Sequence, residues 1–348
     1  MDNQIKQILN LAVWAPSGDN SQPWKFTIKN DHEVIVECLP ENDNPILNVD
    51  YSGTYIAHGA LLENIDIAAS HFGLKTIVNL FPDQSNQNIV AAINFFDDDI
   101  KEDSLFDFIT KRCTNRKSYK KRPLTREQEF KLQKSIQNIE SVDVKFVSDT
   151  EDMKKIAAAF SIMERVALEN QELHCLFFND IIWDKKTNDA GGMGLYIKTM
   201  ELPLPMQYFF RLLKHWRFVK ILNKIGFSKL AALGNAKVYA SSSLIGAIVL
   251  WGSDKNDYIF AGRGMQRLWL TATELGLSLQ LVSGTVFLGK KAQKDVSDFF
   301  STKHRAQITK ANKLISDIFK TGNQNIHMTF RIGYGGNPTA RAARLPAD

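Results

Sequence analysis

One helical pattern occurs twice in the chain, and this repetition is the strongest constraint on its fold. Residues 59–74 and 262–277 align without a gap at an offset of 203, and small and apolar positions coincide throughout. In both copies the apolar residues follow helical spacing, and a glycine stands where a C-terminal cap belongs. A generic amphipathic helix ended by glycine would reproduce part of this agreement. Duplication explains it better, and it predicts two related halves, each with a central helix.

The size and composition of the chain suit a globular fold. Its 348 residues permit one large domain or two of ordinary size. Hydrophobic residues make up 44% and charged residues 23%, which argues against extensive disorder. The net charge of +5 permits an anionic ligand. A nucleic-acid binder would need that charge on one face together with a reading module, and the sequence contains no such module.

Cysteine usage and hydropathy exclude several other classes of protein. Cys38, Cys113 and Cys175 lie far apart, with no C-x-x-C pair and no histidine set at ligand spacing. Neither a metal site nor a disulfide framework is therefore expected. The first residues lack a basic region followed by an apolar core, and no run of 18 apolar residues occurs. We therefore expect a cytoplasmic protein without a transmembrane segment.

Periodicity and turn signals predict the order of helices and strands. In the first half they predict a helix that ends near Ala15, strands over 25–29, 33–38, 78–81 and 89–96, and a long helix over 54–73. In the second half they predict helices over 125–140, 151–172, 291–299 and 306–320, and strands over 143–147, 243–251, 277–282 and 327–332.

A polar loop follows the first predicted helix. Pro16 ends that helix, and Gly18 allows the backbone to approach another group closely. Hydroxyl and amide groups come from Ser17, Asn20 and Gln22. From composition alone the loop is a helix-to-strand turn with local side-chain hydrogen bonds. The order of its residues favours a ligand contact instead.

Residues 16–24, Pro-Ser-Gly-Asp-Asn-Ser-Gln-Pro-Trp, resemble the flavin-contacting loop of the nitroreductase superfamily, whose members hold FMN at a dimer interface. The resemblance implies an α+β fold with the long helix buried at its centre. It also implies that residues 1–105 and 106–348 each resemble one nitroreductase protomer. Fusion would then replace the usual homodimer by an internal pseudo-dimer, which could still pair again as a further homodimer.

A basic segment covers residues 111–122, where seven of twelve residues are Lys or Arg. Such a run is commonly a solvated surface. Arg112, Thr114 and Arg116 alternate, however, so an extended or turning segment can aim two guanidinium groups and a hydroxyl at one phosphate. The segment resembles the Arg-x-Ser-x-Arg phosphate and ribityl segment that opens a nitroreductase protomer, with Thr114 in place of Ser.

The two motifs of one family protomer are divided between the halves of this chain. The first half has the loop without the phosphate segment, and the second half has the phosphate segment without the loop. Family dimers build each flavin site from both subunits. The resemblance therefore implies one complete site at the internal interface and one FMN per chain.

Two further segments match the family by position. A closing strand of hydrophobic and glycine residues, 331–338, leads into a tail with Arg341 and Arg344, which match the family's basic tail at the flavin phosphate. A disordered tail is the alternative. Val282, Ser283 and Gly284 match the loop whose backbone N–H groups face flavin N5 and O4.

An insertion at about 184–235 interrupts the second half. A flexible turn over 189–194 precedes an apolar and basic stretch over 208–233. A basic amphipathic helix can lie on a membrane surface. We favour a lid or interdomain cover, because nitroreductase relatives insert helices over the flavin at such a place.

The resemblance implies an NAD(P)H-dependent FMN oxidoreductase with ping-pong hydride transfer to an electron-poor acceptor, a nitroaromatic or a quinone. Ser17, Asn20 and Gln22 would then bond the isoalloxazine rim. No side chain is predicted to be catalytic, because flavin N5 carries the chemistry. The alternative is a catalytically silent protein that sequesters or senses FMN, with its flavin face covered by the insertion.

Overall fold

The structure is a computed structural model, and it describes residues 2–294 and 298–347. The first part of the chain forms two helices and four strands. In chain order these are α1 (Asp2–Ala12), β1 (Trp24–Asn30), β2 (Glu33–Cys38), α2 (Ser52–His71), β3 (Leu74–Leu80) and β4 (Ile89–Asp97).

The four strands of the first part make one antiparallel sheet in the order β1-β2-β4-β3. Burial alternates along β2, where Val34, Val36 and Cys38 face the core. The strands predicted over 25–29 and 33–38 and the long helix predicted over 54–73 are confirmed. The strand predicted over 78–81 instead begins at Leu74, because Gly73 adopts a left-handed conformation (φ 67°) that ends α2 and turns the chain at once into β3.

The second part of the chain contains eleven helices and six strands within the described residues. In chain order these are α3 (Arg126–Ser135), β5 (Asp143–Val147), α4 (Thr150–Phe160), α5 (Ile162–Glu169), α6 (Gln171–Asn179), β6 (Ile181–Ile182), α7 (Lys185–Asp189), β7 (Leu195–Tyr196), α8 (Leu204–Leu213), α9 (Trp216–Lys224), α10 (Phe227–Tyr239), β8 (Leu244–Leu250), α11 (Lys255–Glu274), β9 (Ser278–Leu281), α12 (Gly284–Lys294), α13 (Thr302–Phe319) and β10 (Asn325–Gly333).

A second antiparallel sheet has the order β5-β8-β10-β9, which is the order of the first sheet when its strands are counted along the chain. In both sheets the long helix follows the second strand and precedes the third. Helix α2 covers Ser52–His71 and α11 covers Lys255–Glu274, so both ends differ by the offset of 203 found in the sequence. The α+β prediction is confirmed.

Helices α2 and α11 pack directly against each other, and their contact is reciprocal. A Cβ placed on Gly59 would lie 2.9 Å from the Gly262 Cα and even closer to the Ile259 carbonyl oxygen. A Cβ placed on Gly262 would lie 3.0 Å from the Gly59 Cα and would overlap the Ile56 carbonyl oxygen in the same way. Glycine is needed at both positions because the two backbones touch.

Buried ion pairs also join the two long helices. The Glu63 carboxylate, 1% exposed, accepts from Arg263 Nε at 2.9 Å and from Arg267 Nε at 2.5 Å. Arg263 also pairs with Asp66, and Arg267 pairs with Asp103 at 2.6 Å. Three carboxylates therefore neutralise two arginines along the contact, which satisfies charges that burial would otherwise penalise.

Several predicted elements of the second part differ from the structure. The helix predicted over 151–172 is divided into α4, α5 and α6 by breaks at Ser161 and Asn170. Asn170 leaves helical geometry, and its side chain caps α6 by accepting from Leu173 N. The helix predicted over 125–140 ends at Ser135. The helix predicted over 291–299 begins at Gly284, directly after β9, and residues 295–297 lie outside the described residues.

The insertion is more ordered than its sequence suggests. Residues 184–235 contain three helices, α7 to α9, and most of α10. Inner side chains of α8, α9 and α10 share an apolar cluster with α6 that is separate from the main core. Its buried members are Phe178, Ile181, Ile182, Tyr196, Ile197, Leu213 and Val219. No helix of the described residues is long and apolar enough to cross a membrane.

Candidate functional site

The loop after α1 is strained. Asp19, Asn20 and Gln22 have φ angles of 45°, 62° and 47°, a region that residues other than glycine rarely adopt. The Gln22 backbone N–H donates to Ser17 Oγ at 3.0 Å, and Pro16 is buried behind the loop. Strain of this kind is retained where the surrounding structure imposes it, commonly at functional sites.

Gly18, which the sequence predicts to allow a close approach of the backbone to another group, faces open space. A Cβ at this position would meet no protein atom within 4 Å, and the residue is exposed. No protein group in the described residues therefore requires the glycine. Close approach of a ligand to this backbone stays a prediction.

Two other segments cover the polar side chains of the loop. Asn20 Nδ2 donates to the carbonyl oxygens of Gly192 at 3.3 Å and Ala343 at 3.2 Å. Gln22 Nε2 donates to the Gly191 carbonyl oxygen at 3.4 Å, and Gln22 Oε1 accepts from Leu345 N at 2.8 Å. The turn of the insertion and the C-terminal tail thus lie on the loop, and the amides predicted to contact a flavin bond to protein backbone.

Three arginines gather beside this covered loop. Arg112 is 2% exposed, and its Nη2 donates to the Trp14 carbonyl oxygen at 2.7 Å. Arg344 Nη2 donates to the Ala15 carbonyl oxygen at 3.3 Å. Arg341 Nη2 donates to the Arg112 carbonyl oxygen at 2.7 Å, and its guanidinium lies 4.0 Å from the centre of the Trp14 ring. We call Arg112, Arg341 and Arg344 the arginine cluster.

The arginine cluster has no ion pair with a carboxylate in the described part of the chain. Burial, followed by repulsion from Arg344 and Arg341, lowers the pKa of Arg112 well below its ordinary value. Burial and Arg341 lower the pKa of Arg344 to about 10. The Nε atoms of Arg112 and Arg344 are buried without a hydrogen-bond partner. A positive cluster in which Arg112 is buried and Arg341 and Arg344 are half-buried, with two unused donors, fits an anion, and a phosphate in particular.

The rest of the basic segment runs along the edge of the second sheet. Thr114 bridges to Leu279 through its backbone, and Asn115 N donates to the Leu279 carbonyl oxygen at 3.1 Å. Arg116 Nη1 donates to the Thr199 carbonyl oxygen at 3.2 Å, within the insertion. The guanidinium groups of Arg112 and Arg116, which the sequence predicts at one phosphate, therefore bond to different parts of the chain: Arg112 to Trp14 and Arg116 to Thr199.

Val282, Ser283 and Gly284 contact the second sheet and α5. Val282 N donates to the Thr329 carbonyl oxygen at 2.9 Å. Ser283 Oγ donates to the same oxygen at 3.0 Å and accepts from Thr329 N at 2.9 Å. A Cβ on Gly284 would lie 2.5 Å from Met163 Cγ. No hydrogen bond of the described residues joins these three to the loop or to the arginine cluster, so their role at the flavin stays a prediction.

The structure adds three residues that the sequence argument did not include in the site. Trp14 lies beneath Arg341 and carries the carbonyl that Arg112 bonds. Burial raises the pKa of Asp19, although Arg116 opposes the change. Burial, then the charge of Asp19, raises the pKa of Asp180 to about 6. Asp19 lies within the motif and Trp14 lies just before it, so their positions could have indicated both, whereas no sequence signal connects Asp180 with the loop.

Comparison with known proteins finds relatives by sequence. No family model matches the chain. An uncharacterised protein of Mycobacterium tuberculosis, MT1398, is 23% identical over 344 residues, which are 97% of this chain and 46% of that protein. The M. tuberculosis protein acg, assigned as an NAD(P)H nitroreductase, is 28% identical over 180 residues, which are 50% of this chain and 53% of acg. The chain spans about half the length of both relatives.

Solved structures show weaker similarity. An FMN-dependent nitroreductase from Clostridium difficile R20291 has a TM-score of 0.35 and 14% identity, covering 68% of this chain and 90% of that chain. A BluB-like flavoprotein from C. difficile 630 has a TM-score of 0.37 and 13% identity, covering 70% and 95%. Scores this low carry no conclusion about this chain. By sequence the chain is similar to acg over half of its length, and residues 16–24 resemble the flavin-contacting loop of the nitroreductase superfamily.

Proposed function

We propose that the chain is an FMN-dependent oxidoreductase that takes hydride from NAD(P)H and passes it to an electron-poor acceptor such as a nitroaromatic or a quinone. The observation that carries the proposal is the arginine cluster. Three arginines lie together without a carboxylate partner among the described residues, and two of their Nε atoms are buried and unbonded. Such a cluster would be costly to bury unless an anion neutralised it.

The phosphate of FMN suits this cluster. Arg112 and Arg344 offer the two unused Nε donors, and Arg341 adds charge from the tail. Hydrogen bonds from a guanidinium to a phosphate are charge-assisted and among the stronger ones in proteins. Thr114 and Arg116 continue the same segment toward the insertion, where the resemblance places ribityl contacts.

The ring of FMN would lie against the loop. Ser17, Asn20 and Gln22 carry the hydroxyl and amide groups that can bond its rim, and Asn20 Oδ1 is buried without a partner. Bound FMN would accept hydride from NAD(P)H and release it to the acceptor. The chain's own part is to orient the ring, stabilise added negative charge through amide donors, and exclude water with the turn at 191–192.

We further propose that the chain is an internal pseudo-dimer of residues 1–105 and 106–348. Support comes from the shared strand order, from helix bounds that differ by one constant offset, and from the reciprocal contact of Gly59 and Gly262. Closed two-fold interfaces bring equivalent residues together in this way. The loop then belongs to the first half and the arginine cluster to the second.

One observation favours a second candidate function, an FMN-sequestering or sensing protein. The amides of Asn20 and Gln22 bond to the insertion turn and to the tail, so both segments cover the loop. If that cover persisted over bound FMN, neither NAD(P)H nor an acceptor could reach the ring. The same residues would then hold the cofactor without turnover.

Reduction of the reconstituted protein distinguishes the two functions. The protein is loaded with FMN, freed of excess, and mixed anaerobically with NADH or NADPH while flavin absorbance is followed. An oxidoreductase bleaches, and a nitroaromatic or a quinone then restores the colour. If neither nucleotide bleaches the yellow colour but dithionite does, the result would favour sequestration. Failure to take up FMN would reject both functions.

A further inference from the structure

The outer surface of helices α8, α9 and α10 exposes an unusual number of large apolar side chains. Among the described residues, fifteen large hydrophobic side chains are exposed, and eight of them belong to these helices and the residue after α9. Ile225 is the most exposed, at 84%. We call this set the insertion surface: Leu204, Met206, Tyr208, Leu212, Ile221, Ile225, Leu230 and Leu233.

The same helices carry a concentrated positive charge. Residues 202–253 contain seven lysines and arginines and no aspartate or glutamate, whereas the whole chain has a net charge of +5. All seven side chains are exposed, and they are Arg211, Lys214, Arg217, Lys220, Lys224, Lys229 and Lys237. The positive excess of the chain therefore lies in this segment.

Basic and apolar side chains share the outward faces of the helices. On α9, Arg217, Lys220, Ile221 and Lys224 are exposed at helical spacing, while Val219 is buried on the opposite face. The outward residues of α8 are Leu204, Tyr208, Arg211 and Leu212, and those of α10 are Leu230, Leu233 and Lys237.

The insertion surface belongs to a packed unit and is not a frayed segment. Helix α9 contacts both α8 and α10, and all three place inner side chains against ordered neighbours. Leu213 and Val219 are buried in the separate apolar cluster, and Ala232 is buried on α10. The outer apolar residues therefore stay exposed in the folded chain, where their exposure does not stabilise the fold.

We propose that the insertion surface docks on a lipid bilayer that carries anionic headgroups. Apolar side chains of an interfacial helix enter the boundary between headgroups and acyl chains, and lysines and arginines pair with lipid phosphates. Both kinds of side chain alternate here on the same faces. The helices lie on such a membrane and do not cross it, since none of those described is apolar or long enough.

Charge distinguishes the bilayer from other occupants. Two copies of this chain that met through the insertion surface would oppose seven positive charges with seven more, with no acidic residue of the segment between them. A nucleic acid would attract the charge but would leave Ile225 and its apolar neighbours in water. Of these three occupants, a bilayer with an anionic surface and an apolar interior accommodates both features.

Co-sedimentation of the full chain with vesicles tests the proposal. We expect binding at low salt to phosphatidylcholine vesicles that contain about 30 mol% phosphatidylglycerol, weak binding to phosphatidylcholine alone, and loss of affinity as salt screens the charges. The triple variant Arg217→Gln, Lys220→Gln, Lys224→Gln should lower the partition coefficient about 100-fold, or roughly fivefold for each charge lost. A matched control changes three exposed lysines outside the insertion, Lys134, Lys310 and Lys313, to Gln and should leave binding nearly unchanged.

A second triple variant tests the apolar part. Ile221→Ser, Ile225→Ser and Leu230→Ser alter exposed positions, so thermal unfolding should match the wild type while vesicle binding falls about tenfold or more. Equal binding to both kinds of vesicle would contradict the proposal, as would an equal loss in the lysine control. Unchanged binding of the serine variant would show that the chain adsorbs to vesicles by charge alone, and this result would overturn the proposal. Dimers that the serine variant abolishes would assign the surface to a second copy.

Discussion

The substitution Gly59→Ala tests the packing of the two long helices. In the structure a methyl group at this position would lie 2.9 Å from the Gly262 Cα and closer still to the Ile259 carbonyl oxygen, whereas ordinary contacts are 3.4–4 Å. Both neighbours are backbone atoms, so no side chain can rotate away. The helices would have to separate or shift along their whole contact.

The expected loss of stability follows from two opposing effects. Overpacking of a close contact costs up to about 3 kcal/mol. Alanine in place of glycine in a helix gains about 1 kcal/mol, because glycine loses more backbone entropy on folding. We therefore expect Gly59→Ala to lower the free energy of unfolding by about 2 kcal/mol. Gly262→Ala should lower it by a similar amount, because the two contacts are reciprocal.

Chemical denaturation followed by circular dichroism measures this difference, and Gly234→Ala is the matched control. Gly234 also lies within a helix, but a Cβ there would meet no atom within 4 Å. Only the propensity effect remains, so this variant should be more stable than the wild type by up to about 1 kcal/mol. Wild-type stability of both Gly59→Ala and Gly262→Ala would refute the close contact of α2 and α11.

Three other substitutions probe the ion pairs, the acid sensitivity and the cover of the loop. Glu63→Gln leaves the paired arginines Arg263 and Arg267 short of one buried carboxylate, and should lower the free energy of unfolding by about 3 kcal/mol in a denaturant titration. Burial opposes ionisation of Glu169, but four side-chain hydrogen bonds lower its pKa from 4.5 to about 2. Glu169→Gln should therefore be less stable than the wild type by about 2 kcal/mol at neutral pH. This difference in the free energy of unfolding should shrink as pH falls from 4.5 toward 2, because the carboxylate contributes only while it is ionised. A difference that stays constant over this pH range would contradict the prediction. Gly191 has a φ of 77° and a Cβ there would lie 2.9 Å from the Arg344 carbonyl oxygen, so Gly191→Ala should loosen the cover and speed FMN association in stopped-flow fluorescence, provided FMN binds as proposed.

Sequence patterns predicted those parts of the fold that depend on local spacing. Both copies of the repeated helix could be located in the sequence because each is followed by a glycine. Gly73 after α2 and Gly276 after α11 adopt the same left-handed conformation (φ 67°), which glycine favours. Strand β2 could be predicted because burial alternates along it, which leaves a period of two in the sequence. Such features are fixed by neighbours along the chain.

Features that depend on distant contacts could not be predicted. The helix expected over 151–172 is divided where Asn170 also donates to the Phe299 carbonyl oxygen at 2.8 Å, a contact that no local pattern reveals. The order of the insertion comes from an apolar cluster of side chains spread from Phe178 to Val219. Their sequence resembles an irregular stretch because each helix is short.

The candidate site shows the same division. Arg112, Arg341 and Arg344 were predicted near one another from the family resemblance, and the structure brings them together beside the loop. The sequence predicts that the insertion is a lid or cover, but it could not predict that the carbonyl groups of Gly191 and Gly192 bond to the loop, since these glycines reach the loop only through the folding of the whole insertion.

The central claim is that the arginine cluster holds the phosphate of FMN, and equilibrium titration with FMN tests it most directly. The wild type should bind one FMN per chain. Arg112→Ala and Arg344→Gln should each weaken binding about 30-fold, because each loses a charge-assisted contact worth about 2 kcal/mol. Arg122→Gln, an exposed arginine of the same basic segment, should bind as the wild type does. FMN affinity that is unchanged in both cluster variants, with the fold intact by circular dichroism, would contradict the claim.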